Sequence, residues 1–411
     1  MSRVAAVREG TSFREPAAAH AVREVDSREA AASSAASRRG EPAAHGESSA
    51  HAESSAPAAR EEPSAPAARG ERVLVVRLDD FGDVLLAGPA VRAVAARAAQ
   101  VTVMCGPRGL PAAQLLPGVG ELAVWEAPWV GFEPPRVERR DIDHAVDTLA
   151  YARADAALVL TSFHQSPLPA ALLLRMAGVP RIAADSADYP GSLLDVRHRR
   201  APHVHEVTAA LDLAAAAGYP LPEDDDGRLR VRGPYPEEEA EARELAGPPG
   251  YVVVHPGAAV PARRRGAERQ AETVEALAAA GHRVVVTGSA GERELTAAVA
   301  GGRGVDLGGR TGPRLLAAVL AGAGAAVVGN TGPAHLAAAV GTPVVSLFSP
   351  VVPAERWAPF GVPCVLLGDQ EAPCAGTRAR RCPVPGHPCL ERISAGDVTA
   401  AVSKLLAGGA T

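Results

Sequence analysis

Lysine is almost absent from this chain. Of 42 basic Lys and Arg residues only Lys404 is a lysine, so any phosphate contact must come from arginine, backbone N–H groups or helix N-termini. An excess of positive charge is absent as well. The formal net charge is −5 and the pI about 6.2, which excludes a general nucleic-acid binder. Cysteine is scarce: Cys105, Cys364, Cys374, Cys382 and Cys389 are an odd set in 411 residues and do not make a disulfide framework. Cys374, Cys382 and Cys389 with His387 lack the close CxxC pairs of structural zinc sites, so they read as loop residues and no metal is expected. No run of 18 apolar residues is uninterrupted; the nearest, residues 315–328, is broken by Gly322 and Gly324. The first 16 residues mix Arg, Glu and Ser where a secretory leader would be apolar. The expectation is a cytoplasmic protein without a transmembrane helix.

What remains is ordinary for a folded protein: 47% hydrophobic and 22% charged residues, in a chain longer than one core usually serves. Residues 1–70 are Ala, Glu, Ser, Arg and Pro, with the near-repeats SSAPAAREEP and PSAPAARGER, and are expected to be a disordered tail. The pattern changes at RVLVVRL (72–78), a buried-strand run followed by the turn DDFGD and the helical VLLAGPAVRAVAARA. Strands at VTVMC, 156–160 and 181–184 continue an α/β alternation. The acidic, proline-rich run 219–241 reads as a connection, with Asp224, Asp225 and Asp226 in a solvated turn. A second series follows: YVVVHPG, HRVVVTG, AAVVGN and TPVVSLFS as strands, with helices between them. These series predict two Rossmann-like lobes, residues 71–235 and 236–411, with parallel sheets facing a cleft. The final helix, capped by Ser394 and Asp397, has the option of crossing back to the first lobe.

The residues that carry chemistry fall at the carboxyl ends of these strands. In GNTGPAHLAAAVGTP (329–343) a strand runs into a helix whose free N–H groups would suit a diphosphate. Thr331 reads as its N-cap, Pro333 suits the first turn, Gly332 allows close backbone approach, and His335 could add a hydrogen bond or a charge. Alternatively this is an ordinary strand-to-helix turn. In HPGAAVPARRRGAERQ (255–270) Arg263 and Arg264 are the favoured cations for a leaving diphosphate, against the reading of a solvated basic turn. In TGSAGERE (287–294) Ser289 and Glu292 either meet a ribose or simply start a helix. Asp83, in RLDDFGDVLLAGP, is either a general base or the N-cap of a helix beginning near Val84. Asp79 and Asp80 read as turn formers, with Gly82 supplying the bend.

In this order, RVLVVRLDDFGDVLLAGPAVRAV, HPGAAVPARRR, VVVTGSAGERE, VDLGGRTG and VVGNTGPAHLAAAVGTPVVSLF resemble the motifs of glycosyltransferase family 9, the heptosyltransferase family. The resemblance covers residues 72–411. It implies a GT-B fold and inverting, metal-independent transfer from an ADP-sugar or similar nucleotide-sugar donor, with no other cofactor. Asp83 matches the family's catalytic base, Asn330, Thr331, Gly332 and His335 its donor-phosphate motif, and Arg263 or Arg264 its basic residue. Asn330 stands where family members commonly have Asp, and Arg where they have Lys. The acceptor is open: a glycan, a lipid-linked sugar or a small metabolite, with peripheral membrane association open too. A non-catalytic nucleotide-sugar binding protein and a sugar-nucleotide epimerase are the competing readings.

Overall fold

The computed structural model describes residues 6–7, 70–233 and 235–408. Six strands form the first sheet proper: β2 (Arg72–Arg77), β3 (Gln100–Cys105), β4 (Glu121–Val124), β5 (Ala156–Val159), β6 (Arg181–Asp185) and β7 (Val196–His198). At its edge β1 (Ala6–Val7) pairs antiparallel with β4. Most of the expected tail, residues 1–70, lies outside the described residues. The second sheet holds β8 (Tyr251–His255), β9 (Val284–Gly288), β10 (Val305–Gly308), β11 (Ala323–Gly329), β12 (Val344–Leu347) and β13 (Cys364–Leu367).

Apart from β1 every strand pairing is parallel. The order is β4-β3-β2-β5-β6-β7 in one sheet and β10-β9-β8-β11-β12-β13 in the other. Both are the doubly wound order 3-2-1-4-5-6. The switch point, where ligands bind, therefore falls after β2 and β5 in one lobe and after β8 and β11 in the other. The composition of the strands explains their place. β8, β9 and β12 are buried along their whole length and β2 along all but its first residue, as sheets covered by helices on both faces require. Valine dominates them because its branched side chain is stiff and packs on a pleated surface. One buried cluster runs from Val73 and Val91 through Leu213 and Tyr219 to Ala246, Val253 and Leu320, so the two lobes share apolar packing.

Two expectations need correction. The final helix, Ala395–Gly408, does not cross back: Val398, Ala401, Val402 and Leu405 pack with Val274, Leu277 and Val327 of the second lobe. Its capping is as expected, with Asp397 accepting from the Ser394 backbone (2.9 Å) and Ser394 Oγ accepting from the Asp397 amide (3.1 Å). The lobes are bridged instead by residues 355–358 after β12, where Glu355 meets His203 and Arg356 donates to the Val204 carbonyl. In the acidic run, Asp225 is not a solvated carboxylate. It accepts two hydrogen bonds from Arg92 (2.6 and 2.8 Å), which tie the connection to the Gly88–Ala95 helix and, more than anything else, hold its pKa down at about 2.

Candidate active site in the interlobe cleft

Both switch points open into one cavity of about 870 Å³. From the first lobe come Asp79, Asp80, Gly82 and Asp83 after β2, and Ser162, His164 and Gln165 after β5. From the second come His255 at the end of β8 and Arg263 after it, Ser289 and Glu292 after β9, and Asn330, Thr331, Gly332 and His335 after β11. Of the residues singled out in the sequence only Arg264 is not on the cavity wall. It is exposed, and the third arginine, Arg265, is fully buried and structural, donating to Thr273 (2.8 Å) and the Ile393 carbonyl (2.6 Å).

Asp83 is not an N-cap. The helix begins at Phe81 with Asp80 in the capping position, which places Asp83 in the first turn with its side chain turned to the cavity. Its Oδ1 accepts from Arg77 (3.1 Å) and from the indole of Trp357 (3.3 Å). Among the described residues Oδ2 has no hydrogen-bond partner, so one oxygen is fixed and the other faces the cavity. Arg77 is the centre of this arrangement. It is buried at the end of β2, reaches Asp79 (3.0 Å), Ser162 (3.0 Å) and Glu206 (3.9 Å) as well, and thereby draws three carboxylates together. Burial pushes the Asp79 carboxyl up to about 6, despite Arg77 and a hydrogen bond from Gln165 (2.6 Å). Asp79 is therefore no mere turn former. Asp80 pairs with Arg108 at 2.5 Å.

Gly82 and Gly332 bring the lobes together. A Cβ on Gly82 would lie 2.9 Å from the His335 ring, and one on Gly332 2.8 Å from the Phe81 ring, so any side chain at either position would force the two helix starts apart. The helix after β11 runs over Gly332–Ala339 with Thr331 in the N-cap position, but the Thr331 hydroxyl makes no cap bond. Pro333 has no N–H and Ala334 N donates to the Thr331 carbonyl (3.0 Å), so Gly332 supplies the free N–H of that helix start. His335 is 5% exposed, and its Nδ1 has no partner among the described residues. Burial lowers its pKa to about 4, so near neutral pH it is a hydrogen-bonding imidazole and not a cation.

Asn330 is a bracket between strand ends. Its Oδ1 accepts from the Ser349 amide and its Nδ2 donates to the Ser349 carbonyl, both at 3.2 Å. A carboxylate could make the first bond and would repel the carbonyl at the second, which accounts for an amide at this position. Glu292 closes a capping box, accepting from Ser289 N (2.8 Å) and Oγ (2.7 Å). Both readings of Glu292 meet here, because it starts its helix and lines the cavity. Burial alone would raise its pKa; the Ser289 hydrogen bonds, with His255 and Arg264, outweigh that and leave it lowered.

Arg77, which holds Asp83 from behind the wall, and the wall residues Trp357, His164 and Arg378 had no place in the sequence reading. Arg77 carried a signal, a charge at the end of an otherwise apolar buried strand. Trp357 ends the short helix Ala354–Trp357 and the other two sit in irregular segments, none of them long enough to show periodicity. Among the described residues no group of three or more His, Cys, Asp or Glu is arranged to hold a metal ion, and no helix is long and apolar enough to cross a membrane.

Two Rossmann-like lobes, each opening its switch point onto a shared cleft, define a GT-B-like enzyme. Residues 146–387 match the model of glycosyltransferase family 9 (heptosyltransferase), and the chain belongs to that family. It is a glycosyltransferase. Among solved structures it is similar to E. coli ADP-heptose lps heptosyltransferase II, with TM-score 0.64 and 21% identity over 83% of this chain and 100% of that one. It is also similar to the family 9 glycosyl transferase from Veillonella parvula DSM 2008, with TM-score 0.66 and 18% identity over 83% and 98%. A third is the E. coli heptosyltransferase WaaC with ADP, with TM-score 0.56 and 20% identity over 81% and 99%. No curated protein matches the chain.

Proposed function

We propose that this enzyme transfers a sugar, heptose or a related one, from an ADP-linked donor to a hydroxyl of a glycan, lipid-linked or small-metabolite acceptor, with inversion. The observation that carries the reading is the single cavity in which Asp83 of one lobe faces Arg263, His335 and the open start of the Gly332–Ala339 helix of the other. The family membership gives the reaction its class, and the E. coli relative with ADP suggests the base.

In the transfer, Asp83 Oδ2 takes the proton of the acceptor hydroxyl as that oxygen bonds to the anomeric carbon. The bond from that carbon to the diphosphate oxygen breaks, and its electron pair leaves with the nucleoside diphosphate. Attack opposite the leaving group inverts the centre. The developing diphosphate charge is met by the Arg263 guanidinium, the free Gly332 N–H with the positive end of the helix behind it, and a hydrogen bond from His335. We propose that these groups replace a divalent ion. Glu292 and Ser289, further along the same sheet edge, are assigned to the ribose, and Arg264 to long-range attraction of the donor from outside the cavity wall.

A donor bound at a hundred times its dissociation constant should add about 2.7 kcal/mol to stability. Thermal unfolding with ADP-, GDP-, UDP- and dTDP-sugars, each with EDTA present, is expected to show that stabilisation for the ADP-sugar. Equal curves with and without every nucleotide sugar would overturn the reading, and stabilisation restored only by added Mg²⁺ would overturn its metal-independent part.

A further inference from the structure

The loop between β13 and the Pro388–Glu391 helix carries the basic run TRARR, residues 377–381, which in sequence resembles a solvated surface turn. Its backbone is fixed at several points. Gly376 N donates to the Pro350 carbonyl (2.8 Å), Arg378 N to the Val351 carbonyl (2.7 Å), and the Arg380 carbonyl accepts from Ala262 N (2.9 Å). His387 Nε2 donates to the Ala262 carbonyl (3.1 Å), so the loop is laced to the Pro261–Arg263 turn that presents Arg263. Arg378 itself sits at φ +57°, in the left-handed region that a non-glycine residue adopts only when its surroundings impose it.

From this fixed loop two side chains reach the other lobe. The Arg380 guanidinium lies over the Phe132 ring, 4.5 Å from its centroid, and 3.6 Å from Glu133. Arg378 donates to His164 Nε2 and lines the cavity beside Asp79. His164, its pKa lowered to about 4 by burial first and by Arg378 second, is a neutral acceptor there. Arg378 gains an acceptor there, and the carboxylate whose charge reaches it, Asp79, is ion-paired to Arg77.

The charges on the wall are uneven in a telling way. Arg108 has Asp80, but neither Arg263 nor Arg378 has a carboxylate within ion-pair distance among the described residues. The Arg263 Nε is buried without a hydrogen-bond partner, and burial first, with Arg378 adding to it, disfavours the charge on Arg263 more than Asp83 and Asp80 favour it. Two permanent cations facing one partly dry cavity, whose carboxylates act on them only from beyond ion-pair distance, are stabilised by a ligand carrying two negative groups.

We propose that Arg378 is a second diphosphate-binding residue, holding the phosphate next to the transferred sugar while Arg263 and the Gly332–Ala339 helix start hold the rest. The assignment of phosphates follows from position, because Arg378 is the cation that reaches across to the first lobe, at His164, from which the acceptor is taken to come. This rests on the donor reading above. It makes the basic loop part of the active site, tied to the Arg263 turn so that both guanidiniums keep a fixed spacing.

Calorimetric titration separates the two claims. Wild type, Arg378→Ala and Arg378→Lys are titrated with ADP and with AMP, and with GDP, UDP and dTDP alongside their monophosphates. Arg378→Ala is expected to weaken the diphosphate that wild type binds best by about 10- to 100-fold, the loss of a charge-assisted hydrogen bond, and its monophosphate by less than about 3-fold. Arg378→Lys should recover part of the diphosphate affinity, since the point charge survives and the planar fork does not. Wild-type-like diphosphate binding by Arg378→Ala would overturn the proposal and leave the donor reading intact, as would equal weakening of diphosphate and monophosphate, the mark of a structural role. Failure of wild type to bind any of the nucleoside diphosphates would overturn both.

Discussion

Asp83→Asn should lower kcat by about 10²- to 10⁴-fold, the usual contribution of a general base, while nucleoside diphosphate affinity changes little. The substitution is nearly isosteric. Arg77 and Trp357 both bond Oδ1, which asparagine retains, whereas Oδ2, the oxygen facing the cavity, becomes an amide nitrogen that cannot take a proton. Donor contacts should survive because those we assign come from the other lobe. Steady-state kinetics with calorimetry on the same preparation would check this. Full turnover, or a loss of nucleoside diphosphate binding as large as the loss of rate, would remove Asp83 from the role of base.

Arg77→Met should have the largest effect on stability. The methionine fills a similar volume but leaves Asp79 and Glu206, with Asp83 beside them, without the cation that now draws them together. Removing one partner of a buried ionic cluster typically costs about 3–5 kcal/mol. The deficit has a definite pH dependence. With the arginine gone, the native state favours protonated carboxyls more than the unfolded chain does, so it binds more protons and the deficit shrinks as pH falls from 7 toward 5. Urea unfolding of both proteins at pH 7 and pH 5 measures this. A stability within about 1 kcal/mol of wild type at pH 7, well under the expected ~3–5, would show that the cluster is not held by Arg77.

The doubly wound fold was legible where burial writes itself into composition. The strands RVLVV, YVVVH and RVVVTG are runs of valine bounded by polar or glycine residues, because a parallel strand covered on both faces has no polar side. The edge strands β4, β7, β10 and β13 escaped that signal. They are three or four residues long and only partly buried, so ELAV, VRH, VDLG and CVLL show neither a long apolar run nor a clean alternation. Likewise the site residues that follow central strands, Asp83, Arg263, Glu292 and His335, were visible as motifs. Trp357, from a single-turn helix, and Arg378, from an irregular loop, lie hundreds of positions from the first-lobe groups they touch, Asp83 and His164, and nothing local marks a contact that only the packing of two lobes creates. Asp83 shows the limit within a motif. Its N-cap reading failed because the helix starts at Phe81, three residues before the expected Val84, which turns the carboxylate from the backbone to the cleft.

The central claim is that the cleft joins a donor to a second substrate, and release of nucleoside diphosphate tests it most directly. With an ADP-sugar, EDTA and cell-envelope glycan fractions as acceptors, free ADP is predicted to accumulate only when acceptor is present, in step with glycosylated product. Conversion of the sugar nucleotide into an isomer without acceptor, or tight donor binding with no release under any acceptor, would contradict it.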